Sequence, residues 1–482
     1  MPYENERSSA SAAFDILRDP TVIEFMSTIK AVPDLSNRVS LIRKKIIDVS
    51  SRVSDITEGI ILASDASPYE AIAKKDFPSI RVGLLKFSNV IIRVADYRLL
   101  RDRNDIFVDP VEIAKLKRSA NSMNVALPGA GITSDEVPLS KNLFRRKVFD
   151  IFMAEQFKSG NERLYDTLID LLRRSNSIKS DSDGRECVLL HKEKKPPIDG
   201  LKLTEHIYIP LDPGFVDIDG DVQKRVYVTD AIRVHEVFVN EGSNAECFGR
   251  LMSALEHILL AHLIRCAHSV DPTSTGYLHV IVDGPLAIFG EAARFHRSIM
   301  SLLHDVRMDC QRIGMPGPLV VGVSKTGKIV EHARQIERLL QFDENDDARN
   351  GTYLLTVDDK YRYELIQASE SNLAGNFGKD EYYGQTFIVR TSKGKIFDVT
   401  LAYPFERKAD VDGEEFRDAK VNLRHYEGHL DRMLSLIEMM QTDLFQNALI
   451  PVHLAHRYAS IAHSPAGRSL DAFVREALGI KK

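Results

Sequence analysis

The chain has 482 residues, 44% of them hydrophobic and 28% charged, so it is long enough for a large core and too apolar for wholesale disorder. Its 64 basic and 69 acidic residues give a net charge of -5, which neither selects nor excludes a polyanionic partner, because the placement of the basic groups decides that. The four cysteines, Cys187, Cys247, Cys266 and Cys310, form no C-x-x-C pair; this removes the usual case for structural zinc, and they read as reduced thiols. The stretch MPYENERSSASAAF has no basic region followed by an apolar core, and no run of about 18 consecutive apolar residues appears later. The expectation is a cytoplasmic protein with no membrane partner.

In chain order, Leu35, Val39, Ile42, Ile46, Val49 and Val53 recur at three- and four-residue steps and predict one amphipathic helix within an N-terminal helical segment, 1–58. GIILASDAS then predicts a buried strand ending on an acid, Asp65, and IRVGLLKFSNVIIRVADY at 80–97 one or two more strands, so that 59–99 forms the first part of the core. Residues 100–205 read as an insertion of helices and loops. Within it, 141–180 carries nine Lys/Arg against five acids, with Arg145, Arg146 and Lys147 in one cluster and Arg173 and Arg174 in another. A solvated helix face and a phosphate-contacting surface are equally compatible with that count.

The second part of the core, 206–405, opens with predicted strands in EHIYIPLD, KRVYVTD and IRVHEVFVNE. A long amphipathic helix, SNAECFGRLMSALEHILLAHLIRCAH, follows, with a Ser/Asn cap and an early Glu. LHVIVDGPLAIFG is a second buried strand that delivers an acid, Asp283, into a small-residue turn. A helix, the strand LVVGVSK, a helix at about 328–341 and the β pair QTFIVRTSKGKIFDVTLAYP come next, and 406–482 reads as a helical segment. Alternating strands and helices predict a mixed α/β sheet. The DIDGD stretch at 217–221 lacks the spacing and closing Glu of a calcium loop and reads as a turn.

Two acids at neighbouring strand ends, with a third from an adjacent helix, make a hard oxygen cage suited to Mg²⁺ or Mn²⁺, the ions that serve phosphodiester hydrolysis. Glu246 and Glu256 both lie on the preceding helix. Glu256 is preferred, because it flanks the stripe Leu255, Leu259 and Leu263, whereas Glu246 in the first turn has the separate task of facing the helix N-terminus. His453 and His456 stand three apart on a helix after Pro451, and Lys325 follows an apolar strand where an ammonium meets phosphate. Either feature, alone, is also compatible with ordinary packing or solvation.

Taken in order, ASDAS, RLMSALE before VIVDGPL, VGVSK, a β pair ending LAYP, and IPVHLAHRYASIA resemble the NurA nuclease domain over about 55–465. The resemblance implies a ribonuclease H-like mixed sheet flanked by helices. It also implies a DNA nuclease dependent on Mn²⁺ or Mg²⁺, with two ions, acting as a homodimer with a HerA-like hexameric ATPase in DNA end processing or anti-phage defence. By resemblance Asp65, Glu256 and Asp283 are the metal ligands, His456 matches the C-terminal histidine and Lys325 the lysine of the G-V-x-K stretch. The sequence departs from the family pattern at Ala66, where glycine is usual, and at Ala448, where a tyrosine is expected; Tyr403 or Tyr458 are substitutes. A non-catalytic regulatory or DNA-binding subunit of a motor ATPase, and a ribonuclease on the same fold, are the alternative readings.

Overall fold

The computed structural model describes residues 10–29, 38–103, 120–190, 206–340, 351–366, 381–442, 448–461 and 466–480. Its centre is a nine-stranded mixed sheet. The strands, in chain order, are β1 (Ile46–Asp48), β2 (Ile60–Lys74), β3 (Ile80–Arg93), β4 (Ala120–Pro128), β10 (Leu278–Asp283), β11 (Leu319–Ser324), β12 (Tyr353–Thr356), β13 (Gly384–Arg390) and β14 (Ile396–Ala402). Between β4 and β10 in sequence, β5 (Ile178–Ser180), β6 (Glu186–Leu190) and β7 (Ile207–Pro210) form a small separate sheet, and β8 (Phe215–Asp217) and β9 (Arg225–Tyr227) a two-stranded ribbon.

The large sheet runs β1-β12-β13-β14-β11-β10-β2-β3-β4. Its middle strands, β2, β10 and β11, are parallel neighbours, and the remaining pairs are antiparallel. The parallel strands read as unbroken apolar runs because both faces are covered: Ile61, Ala63, Val280, Ile281, Val321 and Val323 are all essentially inaccessible.

Helices pack on both faces. The described helices include α1 (Ala10–Arg18) and α2 (Pro20–Thr28), which pair with each other, and α3 (Val39–Arg43), α4 (Val94–Arg103), α5 (Ser140–Met153), α6 (Leu164–Arg174), α7 (Ala245–Val270), α8 (Phe295–Arg312), α9 (Lys328–Leu340), α10 (His429–Met440), α11 (Ile450–Ala459) and α12 (Ala466–Ala477). The connection β10-α8-β11 is the crossover that parallel neighbours require. Helix α7 lies against β2 and β3, and α11 against β2, β3 and β10. By length and composition α7 is apolar enough to cross a membrane, but most of it is buried in this core, which accounts for the composition. Its N-cap residue, Asn244, does not cap the helix with its side chain; the amide is spent on Val239 N–H and C=O instead.

Several expectations need correction. Of the helix predicted through Leu35, Val39, Ile42, Ile46, Val49 and Val53, the described residues form α3, then β1 with Ile46 opposite Leu355, then a 3₁₀ turn at Ser50–Arg52; Leu35 lies outside the described residues. The β-branched side chains at 46, 47 and 49 suit a strand, and β12 offers an edge to pair with, which outweighs the helical periodicity. The insertion 100–205 is not only helix and loop, since β4 is an edge strand of the large sheet, paired from Val82 opposite Pro128 to Val90 opposite Ala120. Its segment ANSMNVALP carries a weak strand signal because Asn121, Ser122 and Asn124 are exposed, while Val125, Leu127 and Pro128 are buried and Met123 packs partly against the core. IRVHEVFVNE forms short 3₁₀ turns rather than a strand.

Candidate metal centre

Parallel pairing of β2 and β10 sets Ser64 opposite Val282, so the next residue of each strand, Asp65 and Asp283, share one face of the sheet. Asp283 ends its strand as expected. Gly284 follows with φ of 122°, a conformation that glycine alone adopts without strain, and its N–H donates to Val323 C=O at 2.9 Å. That turn lies so close to β11 that a Cβ on Gly322 would stand 2.4 Å from Gly284 O. Asp65 differs from expectation: it sits inside β2, which runs on to Lys74, and Ala66 serves where glycine was looked for because no turn occurs there.

The two carboxylates are nearly sealed from solvent, with side-chain exposures of 9% for Asp65 and 12% for Asp283. His456, on α11, places Nδ1 at 2.8 Å from Asp65 Oδ2 and 3.4 Å from Asp283 Oδ2. Pro451 in the first turn of α11 suits a helix start, and the helix docks across β2 and β10 to bring the imidazole in. Lys325, just past β11, donates from Nζ to Asp283 Oδ2 at 2.6 Å. Asp65 Oδ1 accepts from Ala66 N–H at 2.8 Å. Burial, then the charge of Asp283, raise the Asp65 pKa, against the opposing pull of His456 and Lys325.

Glu256 stands beside this group on α7. It is buried, its Oε1 has no hydrogen-bond partner, and burial followed by the charges of Asp65 and Asp283 pushes its pKa well above the carboxylate range. Glu246 lies elsewhere, exposed and ion-paired one turn on with Arg250 at 2.6 Å. Among the described residues, one group of acids and histidines has ligand atoms all within 4.8 Å of one another, and it comprises Asp65, Asp283 and His456. Glu256 is outside that limit yet close enough to feel both acids. Two carboxylates pressed together, an imidazole aimed at both and an unpartnered buried carboxyl oxygen fit a hard divalent cation, which would neutralise the repulsion that the apo site contains.

Further side chains shape the surroundings. His453, half-buried on α11, has its pKa lowered by burial and then by Lys325, Arg457 and His456, so this end of α11 is cationic. Of the substitutes for the family tyrosine, Tyr403 packs among Phe405 and Phe416, and Tyr458 is half-buried on α11. Tyr383, to which no sequence pattern points, places its hydroxyl 2.7 Å from His257 Nδ1; burial and then Glu256 raise its pKa.

In the basic clusters, each of the five side chains has an acidic partner. Arg145 is buried and forms a two-pronged ion pair with Asp230, its Nε donating at 2.9 Å. Arg146 pairs with Glu136, Lys147 with Asp150, Arg173 with Glu186, and Arg174 with Asp170 and Asp305. The excess of basic residues at 141–180 is thus matched by acids, several from outside that window, and one arginine is a core residue.

No family model matches the chain, and no curated protein does. Among solved structures it is similar to the NurA nuclease from Sulfolobus solfataricus, with 10% identity, 98% of each chain covered and a TM-score of 0.34. A second NurA structure matches at 10% identity over 95% of this chain and 97% of that one, with a TM-score of 0.27. A structure of NurA with manganese matches at 10% identity over 95% and 98%, with a TM-score of 0.29.

Proposed function

We propose that this chain is a metal-dependent nuclease that hydrolyses DNA phosphodiesters. The observation that carries the reading is the juxtaposition of Asp65, Asp283, His456 and Lys325 where parallel β2, β10 and β11 meet, with Glu256 buried alongside. The meander β4-β3-β2 continued by parallel β10 and β11 supports a ribonuclease H-like core, as the motif order implies. Asp65, Asp283 and Glu256 would hold Mn²⁺ or Mg²⁺ as a pair of ions, and such ions supply Lewis-acid polarisation and an activated water.

The side chains have separable tasks. Asp65 engages His456 at Nδ1, which fixes the ring and leaves the Nε2 edge, half exposed, to give or take a proton at an oxygen of the substrate. Lys325 balances Asp283 and presents an ammonium to a phosphate entering the site. Glu256 has no cation beside it among the described residues, so a metal is the partner that would hold it ionised.

The test is incubation of the purified chain with linear DNA, circular DNA and RNA in Mn²⁺, Mg²⁺ or EDTA. Cleavage of DNA that needs the metal and is lost in Asp283→Asn is the expected result. Cleavage of RNA alone, or none in any metal, overturns the reading. We further propose that the chain acts as a homodimer with a HerA-type hexameric ATPase. The paired helices α1 and α2, which expose Phe14, Leu17, Ile23, Phe25 and Met26, support a partner-facing surface. A monomer by light scattering and no complex with such a motor would remove this part.

A further inference from the structure

We propose that Lys86 binds the phosphate next to the one being cleaved, and so fixes the register of a nucleic-acid strand across the sheet. This rests on the nuclease reading above and adds a binding residue to it. Lys86 lies on β3, two residues from Ser88, which is directly opposite Asp65. Antiparallel partners share a face and the side-chain period is two, so Lys86 is on the face that carries Asp65, as its diagonal cross-strand neighbour. Such neighbours stand about 7–8 Å apart, a span comparable with that between successive phosphates of one strand.

The row it belongs to is polar. Ser67 of β2 and Asn124 of β4 are its direct partners on either side, and Ser122 stands opposite Ser88. Helix α11, which brings His456 to Asp65, packs across β2 and β3 and touches β4, so the row starts beside the candidate metal centre. Asn124 and Ser122 are exposed, so the row opens to solvent at the edge strand.

Two observations point to a missing anion. Lys86 is half-buried, and among the described residues no carboxylate pairs with it; other partly buried cations, such as Arg81, Lys325 and Arg225, have one. A partly desolvated ammonium without a partner is unfavourable until an anion arrives. Ser88, fully buried between Asp65 and Ser122, also has a hydroxyl without a hydrogen-bond partner. A phosphate oxygen held by Lys86 and Asn124 would satisfy the ammonium without reading base identity.

The experiment compares the wild type with Lys86→Gln and Lys86→Arg in Mn²⁺ on three substrates: an oligodeoxynucleotide, the same oligonucleotide carrying one neutral methylphosphonate beside a defined linkage, and bis(p-nitrophenyl) phosphate, which has no neighbouring phosphate. Lys86→Gln should lower kcat/KM on the oligonucleotide about tenfold, mostly through KM, with Lys86→Arg restoring most of it. It should leave bis(p-nitrophenyl) phosphate turnover unchanged. The methylphosphonate should cost the wild type the same factor at one flanking position and cost Lys86→Gln nothing more. Equal loss on all substrates, or no loss on any, overturns the assignment. If the wild type cleaves nothing, the nuclease reading fails, and Lys86 is then judged by oligonucleotide binding in EDTA. There the slope of log K against log salt should flatten by about 0.7–0.9 in Lys86→Gln if it contacts a phosphate, and an unchanged slope overturns that contact.

Discussion

Replacing Asp65 with asparagine keeps the shape of the side chain and an oxygen to accept from Ala66 N–H, but removes one of two charges that face each other across β2 and β10. The ligand oxygens of Asp65 and Asp283 lie within 4.8 Å. At an effective dielectric of about 20, two like charges at that separation repel by about 3–4 kcal/mol. Lys325 on Asp283 and His456 on Asp65 offset part of this, which leaves a net gain of about 1–2 kcal/mol for the metal-free variant. In EDTA, Asp65→Asn should therefore melt at or slightly above the wild type. Saturating Mn²⁺ should reverse the order: a ligand at a hundredfold excess over Kd stabilises by about 2.7 kcal/mol, and the variant lacks half of the carboxylate pair that would bind it. Melting of both proteins with and without Mn²⁺ reads the two effects together. A variant that melts far below the wild type in EDTA, yet gains as much from Mn²⁺, would refute the reasoning.

Three further outcomes are expected. Glu256→Gln should abolish metal-dependent cleavage while Glu246→Gln stays near normal, because Glu256 alone of the two feels Asp65 and Asp283; a reversed order in a cleavage assay contradicts this. Arg145→Ala should destabilise the fold by about 3–5 kcal/mol by stranding buried Asp230, while Arg146→Glu with Lys147→Glu changes DNA affinity little, as urea unfolding and a binding titration would show. Burial pushes the Asp398 pKa up to about 7, so the unfolded chain releases that proton first, and the stability contributed by the neutral form is lost as pH rises from about 4 to 7. Asp398→Asn should then be the more stable protein at pH 8, by up to about 4 kcal/mol, and gain little at pH 4; an equal effect at both pH values would contradict it.

What the sequence made legible depended on how local its cause was. Asp65 and Asp283 were readable because an apolar run followed by an acid is a pattern of adjacent residues, and α7, α8 and α9 because their apolar stripes repeat. Glu256, preferred from its place beside the apolar stripe, and His456, singled out by the motif order, both lie beside the two aspartates. The extension of β2 past Asp65 was hidden because Ser67 and Pro68 look like a turn, and their strand state is imposed by fourteen residues of β3 pairing alongside. Strand β4 was hidden by its solvent face. Arg145 misled for a different reason: the partner that buries it, Asp230, is 85 residues away, and a cluster of basic residues carries no mark of which member points inward. Tyr383 reaches His257 across 126 residues and has no local pattern at all.

The central claim is that Asp65 and Asp283 hold a divalent cation. Crystals of the protein grown with Mn²⁺, measured for anomalous scattering at the manganese edge, test it most directly. The account predicts a peak bonded to both carboxylates and within reach of Glu256 or His456, absent from crystals of Asp283→Asn. Full ordering of these side chains at saturating Mn²⁺ with no peak between them, or a peak that survives the substitution, would contradict it.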